Sequence, residues 1–205
     1  MLKILCITPI SHIAGLLKEI GKYGKLTYIP SIDKKKLKII LNKRNHNCLL
    51  VNPNKQGFIL NEDILKNSGI KVINTCSTGT NHIDLEFCRS KKIKVFSLTK
   101  DMKLIKELTS TSELAFGLMI SLLRNIIPSH KDVLKMNWNY NNFIGRQIKD
   151  LQVGVIGYGR LGKIFCKQLE GFGAKIIVID PYINKCKFKK MSLQKAAPIV
   201  DIFII

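Results

Sequence analysis

An α/β fold built on parallel sheets is predicted by three observations. Short apolar runs alternate with stretches of helical apolar spacing over residues 1 to about 100, and the same rhythm resumes at Leu151. Lys3 to Ile7, bounded by Pro9, reads as a buried parallel strand. A glycine-rich turn, Gly157 to Gly162, joins one such run to a helical stretch, the strand–turn–helix order of a dinucleotide-binding unit.

Taken in order, Lys3 to Ile7 is an apolar run closed by Pro9, and Ile13 to Ile20 has helical spacing. Leu26–Ile29, Cys48–Val51, Val72–Cys76 and Val95–Leu98 are four more strand candidates, with helical patterns around Leu37, Ile64 and Leu85 between them. From Ser110 to Asn125 apolar residues recur at helical spacing, and Glu113 stands three places after Ser110 as in a capping box. Pro128 is expected to break this run, leaving a second short helix over Val133 to Trp138. The next unit reads strand Gln152–Ile156, helix Leu161–Gly171, strand Lys175–Ile179, a short helix around Leu193, and a third strand, Ile199–Ile205. The expected domains are residues 1–100, a helical connector over 101–150, and 151–205 as the first half of a Rossmann domain.

Composition narrows the function. Hydrophobic residues make up 46% of the 205, ordinary for a chain that buries a core. The net charge of +20 would suit a nucleic-acid binder. However, 29 of the 34 basic residues are Lys, spread along the chain with short clusters at Lys34–Lys36, Lys91–Lys92 and Lys185–Lys190. Phosphate readers gather Arg and Lys on one element, so a solvated Lys-rich surface is expected and no nucleic-acid partner. Six cysteines, at 6, 48, 76, 88, 166 and 186, form neither a C-x-x-C pair nor a zinc spacing; no metal and a reducing cytoplasm follow. Thr8, Pro9, Ser11 and His12 interrupt the apolar start, which argues against a signal peptide, and no run approaches a membrane span.

Two constellations carry chemistry. Gly157-Tyr158-Gly159-Arg160-Leu161-Gly162 matches G-x-G-x-x-G, and Asp180 ends the next strand 18 positions after Gly162. In such a unit the first glycine allows a tight turn, the second lets the backbone approach a pyrophosphate, and the third lets helix and strand pack closely. Arg160 and Leu161 would supply amides at the helix N-terminus, and the Arg160 guanidinium could reach a phosphate oxygen. Asp180 would accept from the adenosine ribose hydroxyls and repel a 2′-phosphate, favouring NAD over NADP. A helix-packing turn without a ligand is the alternative. The second constellation, Ser77-Thr78-Gly79-Thr80-Asn81, follows a predicted strand. Ligands of open α/β sheets bind outside the carboxyl ends of strands, so the segment reads either as an anion-binding turn or as an ordinary one.

These segments resemble the D-isomer-specific 2-hydroxyacid dehydrogenases, the phosphoglycerate dehydrogenase branch most nearly. The resemblance runs from Ser77 to Leu85, through Ser112–Ala115, Leu122–Ile126 and Gly145–Ile148, to Val155–Gly162 and Gly171–Tyr182. It implies a flavodoxin-like substrate domain, an interdomain connector from Ser110, and a Rossmann cofactor domain that holds NAD. It also implies that the amides at Gly79, with Thr78 and Thr80 beside it, receive the carboxylate of a small 2-hydroxy or 2-keto acid. Thr78 would lie near the nicotinamide end of the cofactor, and the complete enzyme would be a homodimer.

The chain departs from the family pattern in two places. Where many members carry an Arg after the third strand, Asn52-Pro53-Asn54-Lys55-Gln56 stands here; a phosphorylated substrate loses that contact, and Lys55 offers only a point charge. The family's catalytic Arg, Glu and His lie beyond the third Rossmann strand, in which Ile205 falls by this reading, so no catalytic residue is assigned and the chain is expected to be truncated and inactive alone. Among the histidines, 12, 46, 82 and 130, only His82 sits in a site loop, where a polar helix-start role is expected. A non-catalytic NAD-binding protein is the alternative to the enzyme. On this reading the Rossmann half holds strands 1, 2 and 3 only, which leaves one edge of its central strand open and the crevice between the halves missing.

Overall fold

The computed structural model describes residues 1–53 and 57–205, which form two compact units, Met1–Ile105 and Lys106–Ile205. Asn54, Lys55 and Gln56, and with them the point charge expected of Lys55, lie outside the described residues.

In the first unit five strands alternate with four helices. In chain order these are β1 (Leu2–Cys6), α1 (Leu16–Gly21), β2 (Gly24–Tyr28), α2 (Lys34–Asn42), β3 (Cys48–Val51), α3 (Glu62–Leu65), β4 (Val72–Thr75), α4 (Leu85–Ser90) and β5 (Lys94–Ser97). The sheet is parallel throughout in the order β2-β1-β3-β4-β5, the flavodoxin-like order. Buried Leu5, Leu49, Val51 and Ile73 from the strands meet Leu37, Leu41, Leu60 and Ile64 in one core. Each such side chain stabilises the fold by roughly 1.5–3 kcal/mol when fully buried. The starts of α2 and α4 are fixed by carboxylates: Asp33 accepts from the Lys36 N–H at 2.8 Å and Asp84 from the Phe87 N–H at 2.9 Å.

The chain passes through α5 (Met102–Glu107) into the second unit, whose elements are α6 (Ser110–Leu123), α7 (Ile126–Val133), β6 (Gln152–Ile156), α8 (Arg160–Gly171), β7 (Lys175–Ile179), β8 (Lys189–Lys190), α9 (Leu193–Ala196) and β9 (Ile202–Ile204). The stretch read as a connector packs within this unit. Ser112 of α6 donates to the Gln168 side chain of α8 at 2.9 Å, and the Phe116 ring lies 5.7 Å from Phe165 and 5.0 Å from Phe172. Two local expectations fail. Thr109, not Ser110, precedes α6, and its hydroxyl donates to the Glu113 carboxylate, so no capping box forms. Pro128 does not break the helix either. It is the third residue of α7, in the first turn, where a missing N–H costs nothing. The break falls instead at Asn125, whose left-handed φ of 53° separates α6 from α7.

The strand order β8-β7-β6-β9, parallel throughout, corrects the main topological expectation. Ile202–Ile204 is not the third Rossmann strand. It pairs with the free side of β6, Val153 opposite Ile202 and Val155 opposite Ile204, and so takes the fourth position. The third position is held by the two-residue β8 beside β7. Local chemistry fixes this pairing. The Asp201 carboxylate accepts from the Gln152 N–H at 2.8 Å and from Arg146 at 2.7 Å, and the Asp201 N–H returns to the Gln152 carbonyl at 2.8 Å. One step further, the Phe203 ring covers Gly154, where a Cβ would come within 2.7 Å of it. The order is therefore 3-2-1-4. β6 has neighbours on both sides, and the reversal of strand order between β6 and β9, the place where such sheets bind nucleotides, is present.

Candidate functional site

At the carboxyl end of β6 the chain turns through Gly157, whose φ of 90° lies in the left-handed region that suits glycine. The Gly157 N–H donates to the Ile179 carbonyl at 2.9 Å, tying the turn to β7. At Gly162 a Cβ would fall 2.0 Å from the Gly157 carbonyl oxygen, so only glycine lets α8 approach the turn. At Gly159 nothing lies within 4 Å of where a Cβ would be, and this residue caps α8 without a side-chain hydrogen bond. The first-turn N–H groups of α8, those of Arg160, Leu161 and Gly162, thus face an open approach at the positive end of the helix dipole. That arrangement can receive a pyrophosphate.

Asp180 follows β7. Its carboxylate accepts from the Tyr158 N–H at 2.7 Å and from the Tyr182 N–H at 2.9 Å. These two bonds, the Tyr158 one foremost, hold its pKa below the ordinary carboxylate value. Two acceptor positions of the roughly four on an ionised carboxylate remain for a ligand's hydroxyls. Beside it lies a cavity of about 820 Å³ lined by Ile156, Ile179, Met191 and Leu193, wide enough for a planar ring system. The Arg160 guanidinium is used differently from expectation: it donates to the Leu108 carbonyl, so its backbone amide is what it offers the turn.

In the first unit, the segment after β4 carries the second constellation. Thr78 and Gly79 are exposed, and among the described residues no acceptor takes the N–H of Thr78, Gly79 or Thr80. Gly79 is not left-handed, and a Cβ there would only touch Asn81 Oδ1 at 3.6 Å. Its use is a bare surface beside free amides, not a strained turn. Beneath the segment, Thr75 and His82 are buried, at 0% and 6% exposure. His82 Nε2 lies 2.9 Å from Thr75 Oγ1, which lies 2.8 Å from Ser77 Oγ, which donates to the Gly79 carbonyl at 2.7 Å. The helix-start expectation for His82 fails. Asp84 caps α4, while His82 is held by its own carbonyl, which accepts from the Leu60 N–H at 2.9 Å. Sequence reasoning missed Thr75 altogether; a polar residue ending an apolar run before a glycine turn was the only signal.

Burial pushes the Cys88 thiol up to about 11 and Cys166 to about 12, and raises Cys76. Among the described residues no three His, Cys, Asp or Glu side chains are grouped to hold a metal, and no helix is long and apolar enough to cross a membrane.

Comparison with known proteins gives a consistent family. Residues 5–104 match the description D-isomer specific 2-hydroxyacid dehydrogenase, catalytic domain, and residues 116–205 match the NAD binding domain of the same family. A D-3-phosphoglycerate dehydrogenase of Methanocaldococcus jannaschii is 29% identical over 95% of this chain and 35% of its own length. A 2-hydroxyacid dehydrogenase homolog of Zymomonas mobilis is 30% identical over 76% of the chain and 46% of its own. The chain thus spans between a third and a half of the length of these curated relatives. Among solved structures, a protein of Thermus thermophilus superposes with a TM-score of 0.81 at 19% identity, covering 98% of this chain and 63% of that one. D-lactate dehydrogenase from Aquifex aeolicus, complexed with NAD and lactic acid, gives 0.74 at 22%, covering 98% and 59%. The structural likenesses establish the fold; the two matched domains, which together take in most of the sequence, establish that this chain belongs to the D-isomer-specific 2-hydroxyacid dehydrogenases, an NAD-dependent family.

Proposed function

We propose that this chain supplies the substrate loop and the nucleotide turn of an NAD-dependent oxidoreductase acting on the CH–OH group of a small D-2-hydroxy acid, a phosphoglycerate dehydrogenase-like enzyme. The observation that carries the reading is the glycine turn at the β6/β9 reversal, with Gly159 bare and Asp180 beside it. In this reading the amides of Arg160, Leu161 and Gly162 hold the pyrophosphate, Gly157 shapes the turn, and Asp180 accepts from the adenosine ribose. Thr78, Gly79 and Thr80 receive the substrate carboxylate through main-chain N–H groups, and Thr78 attends the nicotinamide end. The bound cofactor would accept or return the hydride of the substrate carbon. What these residues do is bind and orient, which lowers the barrier by holding the reacting groups together.

In this reading no residue of 1–205 is assigned the family's acid–base or carbonyl-binding role. Residues 1–205 by themselves are therefore proposed to bind NAD without turning over a panel of 2-hydroxy acids. Titration with NAD and NADP tests the site. NAD should bind more tightly, and Asp180→Ser should narrow the difference by removing the anion that repels a 2′-phosphate. Equal affinities in the unaltered protein would overturn the assignment of Asp180. The full enzyme is proposed to be a homodimer, supported by an apolar ridge on the second unit, where Leu114, Leu118 and Leu122 of α6 are 64%, 63% and 70% exposed at successive helical turns.

A further inference from the structure

We infer that His82 is a positioning residue for the substrate loop: as the neutral Nε2–H tautomer it begins a one-way hydrogen-bond chain, through Thr75 and Ser77, that fixes the Gly79–Thr80 peptide. The inference rests on the loop's assignment to the substrate carboxylate, and its direction follows from donor arithmetic. A carbonyl only accepts, so the Ser77 hydroxyl spends its one proton on the Gly79 oxygen, 2.7 Å away. Ser77 Oγ must then accept from Thr75, 2.8 Å away, which spends the one proton of Thr75. Thr75 Oγ1, 2.9 Å from His82 Nε2, is left to accept, so Nε2 carries the hydrogen.

The other ring nitrogen agrees. His82 Nδ1 is buried and has no partner among the described residues. A proton there would be a buried donor without an acceptor, which costs more than leaving it off; burial accordingly lowers the pKa of the ring. The consequence reaches the loop surface. In a trans peptide the carbonyl and the following N–H point in opposite directions. Pinning the Gly79 carbonyl inward on Ser77 therefore turns the Thr80 N–H outward, where no protein acceptor among the described residues takes it. The ring is anchored in turn by the bridge that the chain makes with Leu60 on either side of Ile83, the Leu60 N–H to the His82 carbonyl at 2.9 Å and the Asp84 N–H to the Leu60 carbonyl at 3.0 Å.

Imidazole and backbone NMR on residues 1–205 tests this without turnover. The two-bond nitrogen–proton pattern of His82 should be that of the Nε2–H tautomer. Thr75→Val, of the same shape but with no hydroxyl, should displace the Thr80 amide resonance, as should His82→Leu. His82→Gln, whose carboxamide can donate in place of Nε2, should restore it. With NADH bound, pyruvate should bind about fivefold or more weakly in Thr75→Val, the loss expected for one broken hydrogen bond, and with little change in His82→Gln. An Nδ1–H tautomer, or a Thr80 amide unmoved by Thr75→Val, would overturn the inference, and Thr75→Val decides it even if His82→Leu does not fold. A displaced Thr80 amide together with no pyruvate binding to any variant would uphold the positioning chain and overturn the substrate-loop reading instead.

Discussion

The three glycines of the turn between β6 and α8 do three different things, and each is set by its backbone or by what a methyl group would meet. At Gly157 the backbone is left-handed, at Gly162 a Cβ would strike a carbonyl oxygen at 2.0 Å, and at Gly159 it would meet nothing within 4 Å. The pattern and its spacing were legible because these demands belong to the backbone and recur in every such turn. Gly162→Ala should accordingly destabilise the second unit by about 1–3 kcal/mol, the usual cost of overpacking, read as a lowered denaturation midpoint. An unchanged midpoint would mean that α8 can move off the turn. Asp180 stands directly after β7, where its spacing from the glycines placed it, whereas the use of Arg160 was not legible: its guanidinium meets Leu108, 52 positions away, a partner no local pattern encodes. Thr75 and His82 were illegible in a further sense, since their roles depend on a chain of hydroxyl protons that only the fold brings into line.

Elements followed the same division. Short apolar runs announced β1, β3, β4, β6 and β7 with boundaries near those observed, most plainly β6 and β7, where buried residues stand in succession. β8 is two lysines, with nothing apolar to mark it, and its omission pushed Ile202–Ile204 into the wrong place in the order. The pairing of β9 with β6 makes a specific claim about Gly154, which lies under the Phe203 ring. Gly154→Val should force that ring aside, cost about 1–3 kcal/mol and speed hydrogen exchange in β9. Normal protection of β9 in this variant would contradict the register. In the first unit, two half-buried or buried imidazoles, His46 and His82, are held below their ordinary pKa by burial, His46 also by Lys3. Their folded-state values lie under the unfolded value of about 6.5, so the unfolded chain takes up protons first. Stability is then full above about pH 6.5 and falls as pH drops toward the folded-state values. A denaturation series from pH 8 to 5 should show this loss, reduced in His82→Gln; a midpoint independent of pH would contradict it.

At the scale of the molecule, the flavodoxin-like sheet lies in the part of the chain that matches the family's catalytic domain, and the 3-2-1-4 sheet in the part that matches its NAD binding domain. The expected open edge on β6 does not exist; among the described residues the free edges of that sheet are those of β8 and β9. Self-association through the α6 ridge, as proposed, predicts that Leu118→Lys lowers the sedimentation coefficient of a dimer toward that of a monomer; no change would place any interface elsewhere. Binding of NAD against the bare Gly159 turn is open to test by one substitution that leaves the fold intact. Because no atom lies within 4 Å of a Cβ at this position, Gly159→Val should fold with an unchanged denaturation midpoint while its side chain fills the approach to the first-turn amides of α8. Calorimetric titration with NAD should then give binding to the unaltered chain and a loss of tenfold or more in Gly159→Val, about 1.4 kcal/mol or more. NAD binding of equal strength in the two proteins would mean that the cofactor does not lie against this turn.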